Sequence, residues 1–285
     1  MSDDLGMPET RRTHGYRKIR QSADWADFAG PDWINTIMTV EVKDRFHAKQ
    51  GRSIGRWTLT AADGRTLVVY LKRHYELPAK LGQHALNNPH KAHSPGLEEY
   101  EHLQWAAAQG ILVPRPVAAG EFLLPDGRLQ SFIALEELTD QLPLHEAVPL
   151  ASQRLPADEF QQWKDSLFAE LVRLSHEFHG RGVYHRDWYF CHFYIADADT
   201  TLVPGAWRGR VTVIDLHRMT HAGGLRARAK DLAQLLYSSD VPGVTDADRE
   251  KFWQSYKTGV WFPKVLGWLV RMKWKLYRRH NAPKG

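Results

Sequence analysis

The chain has 285 residues, 43% of them hydrophobic and 25% charged, and it carries a formal net charge of +5. This composition suits one large core or two lobes, and it excludes an intrinsically disordered chain. The single cysteine, Cys191, excludes an internal disulfide and fits a reducing compartment. No apolar run reaches about eighteen residues and the N-terminus is acidic, so neither a membrane span nor a secretory signal is predicted. The positive charge favours an anionic partner.

Residues 1–30 are polar, with several basic residues, and show no helix or strand periodicity. They are predicted to form a polar tail, with a loosely docked strand as the alternative. Regular patterns begin at Trp33. Strand patterns dominate as far as residue 138 and helical patterns dominate after it. The sequence therefore predicts an α+β protein of two lobes: a strand-rich N-lobe with one helix over residues 31–138, and a helical C-lobe over residues 139–285.

Two glycines, Gly51 and Gly55, lie just before the first clear strand, Trp57–Thr60. Glycine lets backbone N–H groups approach phosphates closely, so this segment is a candidate nucleotide contact. The pattern is not G-x-G-x-x-G, and a plain hairpin turn accounts for both glycines equally well. The turn dipeptide Asp63-Gly64 then predicts a hairpin to the following strand.

A lysine, Lys72, ends that next apolar strand, and a helix that stops at Gly110 is predicted after it. In kinases, a lysine on such a strand contacts the nucleotide phosphates and is held by a glutamate of the following helix. Glu99 is the first choice for that glutamate and Glu98 the second. The alternative is a solvated lysine and a surface carboxylate.

A long helix is predicted over residues 156–180, because its apolar residues recur with a period near 3.6. It leads to the tripeptide His185-Arg186-Asp187, and a short β-branched strand later ends on Asp215. In phosphoryl transfer one aspartate orients or deprotonates the attacking hydroxyl, and a second aspartate holds magnesium together with a neutral ligand five residues after the first. Here that fifth residue is His192.

The tripeptide alone is as easily a chance sequence in a surface loop. The order of the candidates decides between the two interpretations, because Lys72, Glu99, Asp187, His192 and Asp215 follow one another as in a kinase, each on the expected element. The pattern therefore predicts a protein-kinase-like fold.

Three motifs make the pattern more specific. They are His185-Arg186-Asp187-x-Tyr189-x-Cys191-His192-Phe193, Ile214-Asp215-Leu216-His217-Arg218 and Lys230-Asp231-Leu232-x-x-Leu235-x-Tyr237-Ser238-Ser239. They resemble the motifs of the lipopolysaccharide core heptose(I) kinases, the WaaP branch of the lipopolysaccharide kinase family. The resemblance runs from roughly residue 57 to the C-terminus. A histidine five residues after the aspartate, and Asp-Leu-His-Arg in place of Asp-Phe-Gly, are unusual among kinases.

The resemblance implies a role for each matching residue of the reaction centre. Asp187 would orient or deprotonate a sugar hydroxyl, Asp215 would be the main magnesium ligand, and His192 would be the second metal ligand or a phosphate contact. Lys72 would contact the nucleotide phosphates, with Glu99 fixing it.

The resemblance also assigns supporting residues. His185 and Arg186 would hold the loop in shape, and Asp231 would anchor it from below. His217 and Arg218 lie beside the metal site, where a cation could meet an anionic substrate. A structural role for these two is the equal alternative.

The C-terminal stretch predicts a basic amphipathic helix. Apolar Val265, Leu269, Met272 and Leu276 share one helical face, and basic Lys264, Arg271, Lys275 and Arg278 share another. No acidic residue follows Glu250. Such a helix could rest on an anionic membrane surface, and the alternative is a final helix docked on the lobe with its basic face in water. Before it, Thr245-x-x-Asp248 resembles a capping box and predicts another helix start.

The resemblance implies an ATP-dependent sugar kinase that uses Mg²⁺ and phosphorylates a heptose in the inner core of lipopolysaccharide. It would act in the cytoplasm, at the inner face of the inner membrane. Its partners would be the lipid-linked anionic saccharide, the membrane surface and a soluble acidic protein. A kinase of a protein side chain or small molecule and a pseudokinase binding module remain the alternatives. No nucleic-acid partner is expected, because no nucleic-acid-binding module is recognisable.

Overall fold

The computed structural model describes residues 17–42, 44–49 and 51–280. Its internal contacts divide the chain into two compact units. The first comprises the residues up to Trp105 together with Pro114–Leu138, and the second comprises Ala106–Val113 and the residues from Thr139 onward. The first unit is rich in strands and the second in helices, which confirms the predicted α+β class.

Six antiparallel strands form the sheet of the first unit. They are β1 (Arg17–Gln21), β2 (Asp44–Lys49), β3 (Arg52–Thr60), β4 (Thr66–His74), β5 (Pro116–Leu123) and β6 (Leu129–Glu136). Their order across the sheet is β1-β5-β6-β4-β3-β2. The helices of this part of the chain are α1 (Trp25–Ala29), α2 (Trp33–Thr36), α3 (Ala79–Asn87) and α4 (Pro95–Ala108). The sequence predicts one helix here, so α1, α2 and α3 are additional.

The hairpin between β3 and β4 determines where Lys72 points. Gly64 takes a φ of +87° in the turn, and the Ala61 N–H donates to the Arg65 carbonyl oxygen at 2.9 Å. Along β4 the side chains of Leu67, Val69 and Leu71 are buried in the core. Because successive residues of a strand face opposite sides, Lys72 lies on the other face of the sheet.

Residues 17–29 belong to the sheet unit, within the range 1–30 for which the sequence predicts a polar tail, with a loosely docked strand as the alternative. β1 pairs with β5 at the sheet edge, and Trp25 is fully buried in the core. Ile19 packs against that core, and Lys18 hydrogen-bonds Glu121 and the Lys91 carbonyl oxygen. β1 is an edge strand that is held by main-chain pairing and by the apolar contact of Ile19. Its other side chains are mostly basic, so its sequence shows no alternation of apolar and polar residues. Residues 1–16 of the predicted tail lie outside the described residues.

The second unit contains a three-stranded antiparallel sheet and five α-helices within the described residues. The strands, in sheet order, are β7 (Gln141–Pro143), β8 (Phe193–Ala196) and β9 (Thr212–Val213). The helices are α5 (Leu144–Arg154), α6 (Ala157–Gly180), α7 (Gly224–Ser238), α8 (Asp246–Tyr256) and α9 (Pro263–His280). The apolar stripe predicted for α6 is buried from Trp163 to Phe178, so this helix is the core support of the segment that follows it.

The capping box predicted at the start of α8 is present, and it is also tied to α6. Thr245 Oγ1 accepts a hydrogen bond from the Asp248 N–H, and Asp248 Oδ2 accepts one from the Thr245 N–H. Asp248 Oδ2 lies 2.8 Å from Lys164 Nζ on α6, and both side chains are buried. Burial acts to raise the pKa of Asp248, but hydrogen bonds from Lys164 and Thr245 hold it below its ordinary value.

The Asp248→Ala substitution should therefore lower the free energy of unfolding by about 3–5 kcal/mol, because it leaves Lys164 buried without its carboxylate. Urea denaturation at neutral pH measures this. The deficit should shrink as the pH falls through the lowered pKa of Asp248, because protonation then removes the same interaction from the wild type. Asp246→Ala, in the first turn of the same helix with its side chain 93% exposed, is the control and should leave the free energy of unfolding close to the wild-type value. Equal effects of the two substitutions would contradict the buried pair.

Candidate active site

Lys72 on β4 forms an ion pair with Glu99, the first of the two glutamates predicted as its partner. Lys72 Nζ donates to Glu99 Oε1 at 2.7 Å, and the Glu99 side chain is only 2% exposed. Gly96 allows the start of α4 to lie against β6, since a Cβ there would collide with the Phe132 carbonyl oxygen. The sequence alternative, Glu98, has a different environment, in which burial and the neighbouring carboxylates raise its pKa. The ion pair with Glu99 holds the half-buried ammonium group of Lys72 in a defined position.

The two candidate glycines have the contacts of a hairpin. Gly51 takes a φ of +71° in the turn before β3, and its carbonyl oxygen accepts from the Tyr75 N–H at 2.6 Å. Gly55 lies within β3 and pairs with Leu71 of β4. Contact of these glycines with a nucleotide remains a prediction.

The loop that carries Asp187 is held from beneath by one carboxylate of α7. Asp231 is fully buried, and it accepts hydrogen bonds from the His185 N–H at 2.9 Å and from the Arg186 N–H at 2.8 Å. Directly after these two amides, Arg186 takes a φ of +71°, a conformation that costs a non-glycine residue about 1–3 kcal/mol. The carboxylate thus compensates for a strained turn immediately before Asp187.

Three other α7 side chains hold this loop: Lys230 and Ser238, which the sequence analysis placed in a motif without a role, and Gln234, which it missed. Gln234 Oε1 accepts from the Trp188 N–H at 3.2 Å, and Ser238 Oγ accepts from the Phe190 N–H at 2.8 Å. Lys230 Nζ donates to the Arg186 carbonyl oxygen. Gln234 and Ser238 follow Asp231 at helical spacing, so one polar face of α7 accepts hydrogen bonds from four amides of the loop. That spacing is the sequence signal by which they could have been found.

His185 supports the loop from inside as a neutral imidazole. Its side chain is buried, and burial lowers its pKa to about 4. Nε2 donates to the Ile214 carbonyl oxygen at 3.0 Å, and Nδ1 accepts from the Asp187 N–H at 3.3 Å. The ring therefore links the Asp187 loop to the main chain next to Asp215.

The carboxylate of Asp187 is held between two cations. Arg218 Nη1 lies 3.2 Å from both of its oxygens, and Lys230 Nζ lies 3.6 Å from Oδ1. Burial lowers the pKa of Lys230, and the guanidinium groups of Arg218 and Arg186 lower it further. The Asp187 carboxylate acts to raise this pKa, but the net shift is downward. Asp187 is 9% exposed. The arrangement fixes an oriented acceptor for a hydroxyl group.

Asp215 and His192 form a second polar cluster next to that loop. His192 Nδ1 donates to the Asp187 carbonyl oxygen at 2.6 Å, which leaves Nε2 facing Asp215 Oδ2 at 3.8 Å. Asp215 takes a φ of +64°, and its Oδ1 accepts from His217 Nδ1 at 2.7 Å. Burial acts to lower the pKa of His192, but the Cys191 thiol, the Asp187 carbonyl and the Asp215 carboxylate together raise it.

These two residues form a small ligand set. Within residues 17–42 and 51–280, no three or more His, Cys, Asp or Glu side chains are arranged to hold a metal ion. Mg²⁺ is commonly bound through one or two carboxylates together with substrate phosphates and water, so a full protein cage is not required. The donor set of Asp215 and His192 fits a shared magnesium site of this kind, although nitrogen is an uncommon magnesium ligand.

Arg218 and His217, the two candidate substrate contacts near Asp215, both contact a carboxylate. Arg218 binds Asp187 and His217 binds Asp215, while their side chains are 49% and 37% exposed. These contacts agree with the structural role that the sequence analysis gives as the alternative for both residues. Their exposure keeps contact with an anionic substrate open as a prediction.

Comparison with known proteins gives matches over most of the chain. Residues 44–256 match the model of the lipopolysaccharide kinase (Kdo/WaaP) family. The chain is 31% identical over 195 residues to the lipopolysaccharide core heptose(I) kinase WaaP of Pseudomonas aeruginosa, covering 64% of this chain and 69% of that relative. It is 30% identical over 152 residues to WaaP of Escherichia coli K12, covering 52% of this chain and 54% of that relative.

Among solved structures, the chain is similar to WaaP in complex with acyl carrier protein. The TM-score is 0.66 and the sequence identity is 26%, and the alignment covers 91% of this chain and 99% of that one.

The Asp231→Asn substitution tests the anchor of the loop. It places an amide NH₂ donor where one carboxylate oxygen accepts a backbone N–H, so a buried donor loses its acceptor, and unfolding should become easier by about 1–3 kcal/mol. Thermal unfolding followed by circular dichroism measures the change. Asp240→Asn, just after α7 and 64% exposed, is the control and should change stability by less than about 0.5 kcal/mol. A melting temperature of Asp231→Asn equal to that of the wild type would contradict the anchoring role.

Proposed function

The chain belongs to the lipopolysaccharide kinase (Kdo/WaaP) family, and we propose that it transfers the γ-phosphoryl group of ATP to a heptose hydroxyl in the inner core of lipopolysaccharide. Membership confirms the family predicted from the three motifs, and the structural similarity confirms the kinase-like fold. The chain is thus a kinase of this family. ATP as donor and heptose as acceptor are our proposal, and it follows the activity named for both relatives.

The observation that carries the proposal is the fixed carboxylate of Asp187. A group within hydrogen-bond reach of an acceptor hydroxyl can orient it and take its proton as the phosphoryl group is transferred. Arg218 and Lys230 hold this carboxylate in place, and their charges suit the anionic phosphates that meet there. The intact pair of Lys72 and Glu99 favours a catalytic kinase over a pseudokinase, because it presents an ammonium group to nucleotide phosphates.

Magnesium would be held by the Asp215 carboxylate and Nε2 of His192. When bound, Mg²⁺ neutralises negative charge on the nucleotide phosphates. The protein's own contribution is orientation. His192 is fixed through Nδ1 on the Asp187 carbonyl, and Asp215 is fixed through His217. Second contacts of this kind set the direction in which a metal ligand points.

A soluble acidic protein is the proposed partner. The solved relative is a complex with acyl carrier protein, and a chain with a net charge of +5 suits an acidic partner. We place the activity in the cytoplasm, at the inner face of the inner membrane, where a lipid-linked saccharide acceptor would be reached.

Transfer of labelled phosphate from ATP to lipopolysaccharide lacking core phosphate, in the presence of Mg²⁺, tests the reaction. Asp187→Asn and Asp215→Asn should each lower the rate by about a hundredfold or more, because one removes the oriented acceptor and the other the metal carboxylate. Asp197→Asn, a 49%-exposed aspartate of the same unit, is the control and should keep wild-type activity. Transfer that survives Asp187→Asn would remove Asp187 from the reaction. No transfer by the wild type would reject the acceptor.

Lys72→Ala should weaken nucleotide binding roughly tenfold or more, because a charge-assisted contact with phosphate is lost. Isothermal titration calorimetry with a non-hydrolysable ATP analogue and Mg²⁺ measures the affinity. Lys80→Ala, an exposed lysine of α3, is the control and should bind as the wild type does. Circular dichroism of the Lys72 variant checks that the unpaired Glu99 has not unfolded it. Unchanged affinity in a folded Lys72→Ala protein would contradict the phosphate contact.

A further inference from the structure

The last helix and the loop before it expose a row of large apolar side chains, which we call the α9 stripe. Its members are Trp261, Phe262, Val265, Trp268, Met272 and Leu276, with exposures between 44% at Met272 and 83% at Trp261. The four helical members recur every three or four residues, so they lie along one side of α9. Monomeric proteins seldom expose so many large apolar groups together unless that surface binds something.

The stripe is not the face by which α9 joins the protein. Leu266, Gly267 and Val270 are the buried residues of the helix, and Tyr277 lies with its ring centroid 5.8 Å from that of Tyr237 on α7. At about 100° per residue these positions lie across the helix from the stripe. The sequence leaves open whether α9 docks on the lobe or binds a membrane surface. Because α9 docks through one face only, its opposite face is free to bind a membrane.

The first two aromatic residues of the stripe are exposed, and the backbone is strained at the second of them. Phe262 takes a φ of +58°, a left-handed conformation that is strained for a bulky residue and costs about 1–3 kcal/mol. Both it and Trp261 project into solvent rather than into the core. A strained turn whose aromatic groups gain no internal packing suggests a function outside the fold.

Positive charge follows the stripe along its length. Exposed Lys264, Arg271, Lys275 and Arg279 lie within a quarter turn or so of the stripe members on the helical wheel. No Asp or Glu follows Glu250, so α9 itself carries no acidic side chain, and on α8 Asp246 and Glu250 line one cavity with Arg271. An apolar face with interfacial tryptophans beside lysine and arginine is the pattern of a helix that lies in the plane of an anionic lipid surface.

We propose that the α9 stripe binds the surface of an anionic membrane, with its apolar side chains among the lipid headgroups and the adjacent cations on lipid phosphates. Within the part of the chain that the structure describes, no helix has the length and apolar character to cross a bilayer. The helical members of the stripe lie on the outer side of α9 and span about 17 Å along it, at 1.5 Å per residue. A lipid surface accepts such a shape directly, whereas a protein would need a matching groove.

Membrane binding through α9 also positions the candidate active site. α7, on which α9 packs, holds the Asp187 loop through Asp231. Tyr277 of α9 lies near enough to Asp187 and Asp231 for their charges to add to burial, which raises its pKa to about 12. This step rests on the proposed function. A lipid-linked acceptor would then meet an active site held at a fixed distance from its own membrane.

Vesicle co-sedimentation of the full chain, without nucleotide or acceptor, tests the binding. Vesicles of phosphatidylcholine alone are compared with vesicles that also contain phosphatidylglycerol, and the wild type should prefer the latter. The triple variant Lys264→Gln, Arg271→Gln, Lys275→Gln should bind anionic vesicles on the order of a hundredfold more weakly, since each cation near the surface contributes roughly a factor of five. Lys80→Gln, Lys91→Gln, Arg208→Gln removes the same charge from exposed residues elsewhere and should bind as the wild type does.

The apolar part of the stripe is tested by Trp261→Ser, Phe262→Ser, Trp268→Ser, which should lower vesicle binding at least about tenfold. Leu86→Ser, Leu202→Ser is the matched control, because these leucines are 54% and 47% exposed in other parts of the chain. Equal binding of the wild type to both kinds of vesicle, or unchanged binding of the stripe variant, would overturn the proposal. The proposal also fails if the stripe variant loses only its affinity for the acidic carrier protein, since the surface would then be a protein-docking site.

Phosphate transfer separates this proposal from the proposed function. The stripe variant should phosphorylate lipid-free core saccharide as the wild type does, but should be slower on lipopolysaccharide embedded in anionic vesicles. Equal rates of variant and wild type on the embedded acceptor would overturn the docking role. Vesicle binding by a wild type that phosphorylates neither acceptor would support the membrane surface while rejecting the heptose kinase assignment.

Discussion

The candidate site depends on the hydrogen bonds that the Asp231 carboxylate accepts from two backbone N–H groups. The His185 and Arg186 amides turn toward this buried carboxylate, and Arg186 itself adopts a left-handed backbone. A buried carboxylate without donors and a strained non-glycine turn are each unfavourable alone. Together each compensates for the other, and Asp187 is fixed as a result. α7 therefore works as a template for the loop, rather than as a helix that only fills the core.

Charge around Asp187 is arranged for anionic chemistry. Arg218 comes from the segment after Asp215, and Lys230 comes from α7, yet both reach the same carboxylate. A cationic surrounding favours negative charge where phosphates gather, and its groups need little rearrangement because they are already oriented. The imidazole of His192 joins this centre to Asp215 through the Asp187 carbonyl. The catalytic and metal-binding candidates thus share one hydrogen-bonded frame.

The same template links the site to the surface of the second unit. α7 holds the Asp187 loop with one face and receives α9 against another, and α9 turns its stripe and its cations outward. A rigid connection of two packed helices transmits position without a conformational change. If the α9 stripe rests on a membrane as proposed, this connection holds the Asp187 carboxylate at a fixed distance from the lipid surface.

The sequence by itself determined the family, the α+β class and the order of Lys72, Glu99, Asp187, His192 and Asp215. The family follows from the resemblance of the three motifs to those of known kinases, and the class and the order follow from local patterns within single strands, helices and loops. Tertiary structure alone decided that Arg218 and Lys230 converge on Asp187, because contacts between distant segments leave no periodic pattern in the chain. It also decided which side of α9 is buried. That helix has apolar residues on two faces, and only packing against α7 selects one of them for the core.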